Sequence, residues 1–357
     1  MSQIITIATV VFMCALLIVG LYFLYKKTRL KMIQRIQYSR EFNKVGVYEG
    51  QRVTFTEIIY NDSWFPLFFI DMESWIDQEL RLQNQPFNPN KSKQLVISRF
   101  HLWPHMEIRR EHSMVCMKRG YYSFETSTVY TNKQEIFFDS FAEIYVYPKC
   151  IEFEDVPWPI NNIQGESISN RQLIVDPFSM AGIRDYQPGD PFKNINFKAT
   201  ARTGGQKLKV NKRDYCSTRV FMLFLNFQTT PDVPIETEIY EKLMEQGMSY
   251  TASLIEKALT NGHKIGFAAN CSMVNGDKSV SFPISTGAYN IEDMLKMLAL
   301  IRPAVGVSFG SLLNRYIEDQ LQDTEIFIMT TQTNPEMDEQ IATLRRMNNT
   351  VNVFMLS

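Results

Sequence analysis

The sequence predicts three parts in series: one membrane-spanning helix, an antiparallel β-sandwich-like domain, and a C-terminal α/β domain with a doubly wound, mostly parallel sheet. Three observations carry this. Ile4 to Tyr25 is apolar and uncharged. Residues 45–150 are dense in short β-branched and aromatic runs separated by turn residues. From residue 219 onward, continuous apolar runs alternate with helix-like segments. With 357 residues, the chain has room for all three parts.

The apolar run IITIATVVFMCALLIVGLYFLY is long enough, at about 1.5 Å per residue, to cross a hydrocarbon core of about 30 Å. Met1-Ser2-Gln3 precede it, whereas Lys26, Lys27, Arg29, Lys31, Arg35 and Arg40 follow it. A cleaved signal peptide has a basic start, a shorter apolar stretch and a small-residue cleavage site. Residues 4–25 therefore read as a retained single-pass anchor of the cell's inner or plasma membrane. The positive-inside rule puts the N-terminus outside and the C-terminal domains in the cytoplasm. Residues 30–44 are charged and read as a helical juxtamembrane stalk, which completes a 1–44 anchor section.

The sandwich-like domain is expected over 45–150. Its strand candidates are Val53–Tyr60, Leu67–Ile70, Leu95–Ser98, Met106–Arg110, Arg119–Phe124 and Phe141–Pro148, each β-branched or aromatic. The α/β domain is expected over 219–357. Arg219–Asn226 is a continuous apolar run, the pattern of a strand buried on both faces. A helix follows from about Glu236 to Leu259 and stops at Asn261-Gly262. Strands over 264–269, 325–329 and 351–356 and helices over 291–301, 309–321 and 335–347 complete the alternation. Helices on both faces of a parallel sheet are the expected result.

Composition narrows the function. A net charge of −1 gives no global attraction to nucleic acid or acidic lipid. The five cysteines, Cys14, Cys116, Cys150, Cys216 and Cys271, have no C-x-x-C spacing, so reduced thiols are expected rather than a disulfide framework or zinc site. His101 and His105 have i, i+4 spacing, but Pro104 breaks the helix that a metal pair would need. No G-x-x-x-x-G-K-[ST] loop and no G-x-G-x-x-G fingerprint occur. A serine-hydrolase elbow is not expected either. The chain is read as a non-enzyme, with no cofactor and no small-molecule substrate.

The most informative text lies in the segment 151–218, where Gly182–Asp190 reads GIRDYQPGD and Ile195–Arg202 reads INFKATAR. A Pro-Gly-Asp turn, an Ile/Phe pair expected to be buried and spaced cations predict a shaped polar loop held against a core. An Asp185/Asp190 acid–base pair is the catalytic alternative. The structural alternative has Asp190 accepting from the turn backbone and Asp185 pairing with a nearby cation. Residues 171–219 hold ten Lys/Arg against four Asp/Glu. This basic excess makes nucleic-acid or anionic-lipid binding the alternative function, although no stacking platform of spaced aromatics is expected beside it. An uncharacterised hydrolase is the second alternative.

This segment resembles the signature of the family called domain of unknown function fifty-eight, roughly R-E-Y-x-x-G-D-x-x-R-x-I-x-W-K-x-x-A-R. Arg184, Tyr186, Gly189, Asp190, Ile195, Lys198, Ala201 and Arg202 match it, while Asp185, Lys193 and Phe197 stand for Glu, Arg and Trp. The order of parts fits too, with Arg119-Gly120-Tyr121 in the sandwich. The resemblance implies a prokaryotic, membrane-anchored protein with a von Willebrand factor A-like domain, encoded beside a MoxR-type AAA+ ATPase. It also implies a metal-ion-dependent adhesion site, D-x-S-x-S after the first strand with a T-D-G later. Here the matching positions are Asn226, Gln228 and Thr230, with Thr330-Thr331-Gln332 as the later match. Hard cations prefer charged oxygens, so the metal site is expected to be degenerate and empty. The function implied is a membrane-anchored scaffold that grips protein partners, the ATPase first among them. Its signature residues serve either to hold the domains or to contact the partner.

Overall fold

The computed structural model describes residues 2–82, 92–131, 134–151, 174–188, 192, 195–202, 204, 207–216, 219–229, 236–285 and 289–356. The chain divides into two compact units. The first holds Met1–Cys150, Ser272–Asp277 and Asp293–Arg302, and the second Ile151–Cys271, Lys278–Glu292 and Pro303–Ser357.

Helix α1 (Ser2–Ile33) opens the first unit. Within it, Val10–Arg29 is long and apolar enough to cross a membrane, and none of that window is buried. The expected helical stalk over 30–44 is corrected. The helix stops at Ile33, and β1 (Ile36–Phe42) begins three residues later. The reason lies in the period. Ile36, Tyr38 and Arg40 are buried while Gln37, Ser39 and Glu41 are exposed, an alternation only a strand can present. Met32 and Ile33 are buried with Ile36 and Tyr38 in one apolar cluster, so helix and strand share a core.

The strands β2 (Gly46–Tyr48), β3 (Arg52–Asn61), β4 (Leu67–Asp77), β5 (Leu80–Leu82), β6 (Lys93–Leu102), β7 (Glu107–Cys116), β8 (Gly120–Thr131) and β9 (Gln134–Tyr147) follow. They form two sheets, ordered β1-β3-β7-β5 and β2-β9-β8-β4-β6. All pairings are antiparallel except β2 with β9. Inward side chains of both sheets meet in two apolar clusters. One gathers Phe55, Ile76, Phe124 and Ile144, and the other Ile59, Met72, Phe100 and Val129. Burying each such side chain contributes about 1.5–3 kcal/mol. Burial pushes the Cys116 thiol in the first cluster up to about 11, which keeps it protonated and inert at neutral pH.

Buried polar groups also lie inside this unit. Glu57, 1% exposed, accepts from the Tyr38 hydroxyl at 2.5 Å, from Ser98 at 2.8 Å and pairs with His112 Nε2 at 2.8 Å. Arg40 donates to Ser140 Oγ at 3.1 Å and to its carbonyl at 2.5 Å. Arg119, also buried, donates from Nη1 to the carbonyls of Leu298 and Ile301, both at 2.7 Å.

The remaining elements are β10 (Ile174–Asp185), α2 (Phe197–Arg202), β11 (Lys209–Cys216), β12 (Val220–Leu225), α3 (Thr237–Thr260), β13 (Lys264–Ala269), β14 (Cys271–Met273), β15 (Val280–Ser285), α4 (Tyr289–Leu300), β16 (Ile301–Val305), α5 (Phe309–Glu318), β17 (Glu325–Thr330), α6 (Pro335–Arg346) and β18 (Thr350–Met355). The main sheet has the order β15-β13-β12-β17-β18. β13, β12, β17 and β18 are parallel, and β15 is an antiparallel edge strand that the apolar pattern does not announce. β14 and β16 form a separate two-stranded sheet.

Alternate residues of β12 face opposite layers. Met222 and Phe224 pack with Leu312 and Leu313 of α5 and Ile341 and Leu344 of α6. Phe221 and Leu223 border a small apolar void with Leu254 and Ala258 of α3. Helices thus cover both faces. Gly247 of α3 leaves room for neighbouring methyls: a Cβ there would sit 2.9 Å from Leu225 Cδ1 and 3.0 Å from Leu356 Cδ1.

Candidate functional site

Open parallel sheets place their crevice beyond the carboxyl ends of the strands. Here β12, β13 and β17 end in polar residues that are buried together: Asn226, Asn270 and Thr330 are 3%, 0% and 0% exposed. They form a neutral lattice. Asn226 Nδ2 donates to Thr330 Oγ1 at 3.0 Å, and Asn270 Nδ2 donates to Asn226 Oδ1 at 3.1 Å. Asn226 Oδ1 also accepts from the Gln228 amide at 2.9 Å, and Asn270 Oδ1 from the Phe227 amide at 2.7 Å. Thr330 Oγ1 donates to the Gln332 carbonyl at 2.6 Å and accepts from the Gln332 amide at 3.2 Å.

Above the lattice lies a cleft of about 30 Å³ lined by Gln228, Ser308, Gln332, Asn334, Glu336 and Gln340, among others. The amino ends of α5 and α6 reach it. Gln228 Oε1 accepts from the Phe309 amide at 3.1 Å, and Asn334 caps α6 by accepting from the Met337 amide at 2.8 Å. Each bond satisfies an end-of-helix donor that has no partner inside its own helix.

The adhesion-site metal implied by the resemblance does not fit these residues. Asn226 Oδ1 and Thr330 Oγ1, where ligands would be needed, each already accept two hydrogen bonds. Glu336 is the one carboxylate among the described lining residues, too little charge to offset dehydration of a hard cation. Thr230 lies outside the described residues. No group of three metal-ligating side chains occurs among the described residues.

The expectation about the hydrolase elbow is corrected in its letter. Gly306-Val307-Ser308-Phe309-Gly310 satisfies G-x-S-x-G, and it lies between β16 and α5 as such a motif requires. Its geometry is that of a helix cap. Ser308 has φ −66° and ψ 143°, ordinary extended backbone, and its Oγ accepts from the Ser311 amide. No histidine lines the cleft among the described residues, so the usual base partner of a nucleophilic serine is not in that lining.

The signature segment forms an antiparallel ribbon of β10 and β11, closed by the short helix α2. Arg184 lies in β10 and donates to the Asp185 carbonyl at 3.0 Å. Asp185 is paired with Lys209 across the ribbon, and that hydrogen bond and charge hold its carboxyl below the usual range. The Tyr186 amide donates to the Leu208 carbonyl at 2.8 Å. Ile195 bridges Val210, and Asn196 caps α2 by accepting from the Ala199 amide at 2.9 Å. Gly189 and Asp190 lie outside the described residues, as does Lys193.

Two expectations fail here. The Ile/Phe pair is not buried as a pair: Ile195 is half-buried, but Phe197 is 71% exposed. Exposed aromatics also do accompany the cations. Phe192 is 74% exposed and stacks on Tyr186 with centroids 6.1 Å apart, and Lys198, Arg202 and Lys207 are exposed nearby in sequence. Thr200 is the one buried residue of this six-residue helix. Ala201 is exposed as well.

From the ribbon to the last strand, residues 182–355 match the family described as "Protein of unknown function DUF58". This stretch is similar to the DUF58 family. A relative of the chain is "Uncharacterized protein YeaD" of Bacillus subtilis (strain 168), 24% identical over 298 residues, which are 81% of this chain and 67% of the relative. The solved structures that it resembles are distant. The solution structure of the CARDB domain of PF1109 from Pyrococcus furiosus gives a TM-score of 0.23 at 12% identity, over 31% of this chain and 94% of that one. A crystal structure of the same domain in complex with di-metal ions gives 0.23 at 11% identity, over 31% and 88%. Nothing about this chain follows from TM-scores so low.

Within residues 182–355, sequence reasoning missed Asn270, Ser308, Asn334 and Gln340 as residues of this site. A signal was present for two. Asn270 follows KIGFAA as Asn226 follows VFMLFL, a polar residue directly after a buried apolar strand. Asn334-Pro335 is a cap followed by the proline that opens a helix. Gln340 lies mid-helix, and only the fold turns it toward Gly310 and Asn314.

Proposed function

We propose that the protein is a membrane-tethered adaptor without catalytic activity of its own. In this reading its DUF58-like domain is of the von Willebrand A kind, and the signature ribbon carries the contact face for a protein partner. The exposure of Phe192 and Phe197 carries the reading. A segment that merely held a fold together would turn its phenylalanines inward. Two exposed phenylalanines in a segment that also exposes Lys198, Arg202 and Lys207 have the composition of an interaction hot spot. The saturated neutral lattice at the sheet edge supports the non-catalytic part, because it offers no titratable pair for acid–base work. The resemblance points to a MoxR-type AAA+ ATPase as partner and to ATP-driven remodelling at the membrane. N-outside topology with cytoplasmic domains belongs to the same reading.

The test is capture of a MoxR-type ATPase from the same cell on the detergent-solubilised full-length protein, with and without ATP. Wild type is expected to retain it. Phe197→Ser is expected to lose about 2 kcal/mol of binding, roughly 30-fold in affinity, as for truncation of one hot-spot residue. Its melting temperature should hold, since the ring is solvent-exposed. Equal capture by both proteins would refute the contact face.

The same stack of Tyr186 on Phe192 beside cations favours one second reading, single-stranded nucleic acid. Retention on heparin that falls steeply with salt, together with single-strand binding lost in Phe197→Ser, would establish it instead.

A further inference from the structure

At one end of the sandwich, beside the exit of the membrane helix, large aromatic side chains face solvent. Trp64 is 77% exposed, Phe69 67% and Trp103 58%, with Phe65 and Phe68 also exposed. Their backbone is built to present them. Strand β4 has a bulge between Leu67 and Ile70, and across it both Phe68 and Phe69 point out while Leu67 and Ile70 are buried. Regular alternation would send one phenylalanine into the core. Phe69 has φ +56° and His105, in the neighbouring turn, φ +54°. Both lie in the left-handed region that costs a non-glycine residue energy and that gathers at functional positions. The rings contact one another or flanking histidines edge-on: Phe68 with Trp103 at 5.6 Å, Phe69 with His101 at 4.8 Å and Trp64 with His105 at 4.7 Å.

The height of this patch along α1 is fixed by direct bonds. The Tyr25 hydroxyl donates to the Pro66 carbonyl at 3.3 Å, and Arg29 Nη2 donates to the Phe68 carbonyl at 3.2 Å. Tyr25 is the last residue of the uncharged apolar run and Arg29 the end of the membrane-length window. Ile33, where the helix enters the sandwich core, lies eight residues beyond Tyr25, a rise of about 12 Å. The aromatic loops therefore reach back along the helix to the level at which it leaves the hydrocarbon. Tryptophan and tyrosine concentrate at that level in membrane proteins because their rings are apolar and their edges polar.

We propose that this end of the sandwich, centred on Trp64, Phe69 and Trp103, docks into the headgroup zone of the same bilayer that α1 crosses. The occupant is lipid. The patch is continuous with the span through Tyr25 and Arg29, and a protein partner would have to occupy space the headgroups already fill. The proposal rests on the reading of α1 as a bilayer span. The docked aromatics would fix the tilt and rotation of the sandwich on the membrane, a second contact beyond the single helix.

The chain has four tryptophans, Trp64, Trp75, Trp103 and Trp158. The full-length protein carrying Trp75→Phe and Trp158→Phe is reconstituted into phosphatidylcholine vesicles brominated high on the acyl chain. The reciprocal protein carries Trp64→Phe and Trp103→Phe. Vesicle flotation after alkaline carbonate washing reports separately on the anchor. The expected result is flotation of both proteins, with emission quenched only where Trp64 and Trp103 are retained. Flotation with Trp64 and Trp103 unquenched would overturn the docking and leave the anchor standing. Loss of flotation would overturn the anchor, and the docking with it. Quenching of both proteins alike would also overturn the proposal, since the contact would then not belong to this end of the sandwich.

Discussion

Replacing Glu57 tests whether the buried polar cluster stabilises the sandwich. Glu57→Ala leaves two hydroxyls, those of Tyr38 and Ser98, without their acceptor inside the core. Each stranded group costs about 1–3 kcal/mol. His112 keeps a quarter of its side chain exposed and can turn to water. The total is about 4 kcal/mol, within the range of about 3–5 found when one partner of a buried charged cluster is removed. At about 2–4 °C per kcal/mol for a domain of this size, the unfolding midpoint should fall by about 8–16 °C. Glu57→Gln keeps the volume and one acceptor and should lose about half as much. Thermal unfolding of the full-length protein in detergent, followed by near-ultraviolet circular dichroism, reads both.

Acid supplies a second arm. Burial alone would push the Glu57 carboxyl up, but hydrogen bonds from His112, Tyr38 and Ser98 outweigh it and hold the carboxyl below its ordinary value. The contribution of a depressed carboxyl is complete above about pH 5 and is lost as pH falls through the folded value. The gap between wild type and Glu57→Gln should be constant at neutral pH and close in acid. An alanine variant as stable as wild type, or a gap indifferent to acid, would refute the reasoning.

Three further outcomes are expected. Arg119→Met strands the carbonyls of Leu298 and Ile301 in a buried place and should cost about 2–4 kcal/mol by urea unfolding. Arg119→Lys should recover only part, since an ammonium cannot reproduce a guanidinium fork, and an unchanged urea midpoint in Arg119→Met would contradict this. Gly306→Ala would put a Cβ 2.0 Å from the Lys278 carbonyl oxygen and 2.6 Å from that of Cys271, backbone atoms that cannot step aside. A loss of more than about 2 kcal/mol is expected, and an alanine variant of normal melting temperature would show that the contact is not so close. Calorimetric titration of the full-length protein with Mg²⁺ should give no saturable isotherm, and micromolar binding abolished by Asn226→Ala would restore the metal site.

The α/β half was legible because its strands are buried on both faces. VFMLFL, KIGFAA and EIFIMT are runs that only a central strand explains, and the helices between them carry clear stops. The antiparallel strand β15 was not legible, since VSFPIS mixes exposed and half-buried positions and holds a proline. Residues 36–42 misled because Arg35 and Arg40 look like the basic flank of an anchor, while the inward turn of Arg40 toward Ser140 depends on a residue one hundred positions away. The signature was legible as a motif and not as a surface. Sequence shows that Phe197 stands at an aromatic position, but only the ribbon's geometry shows it facing water.

Because Met32 and Ile33 belong to the same buried cluster as β1, the N-terminal helix is a structural piece of the domain and not an appendage to it. A fragment cut just after the helix would begin life with a hole in its floor. Producing residues 34–357 alone should therefore yield a weakened sandwich.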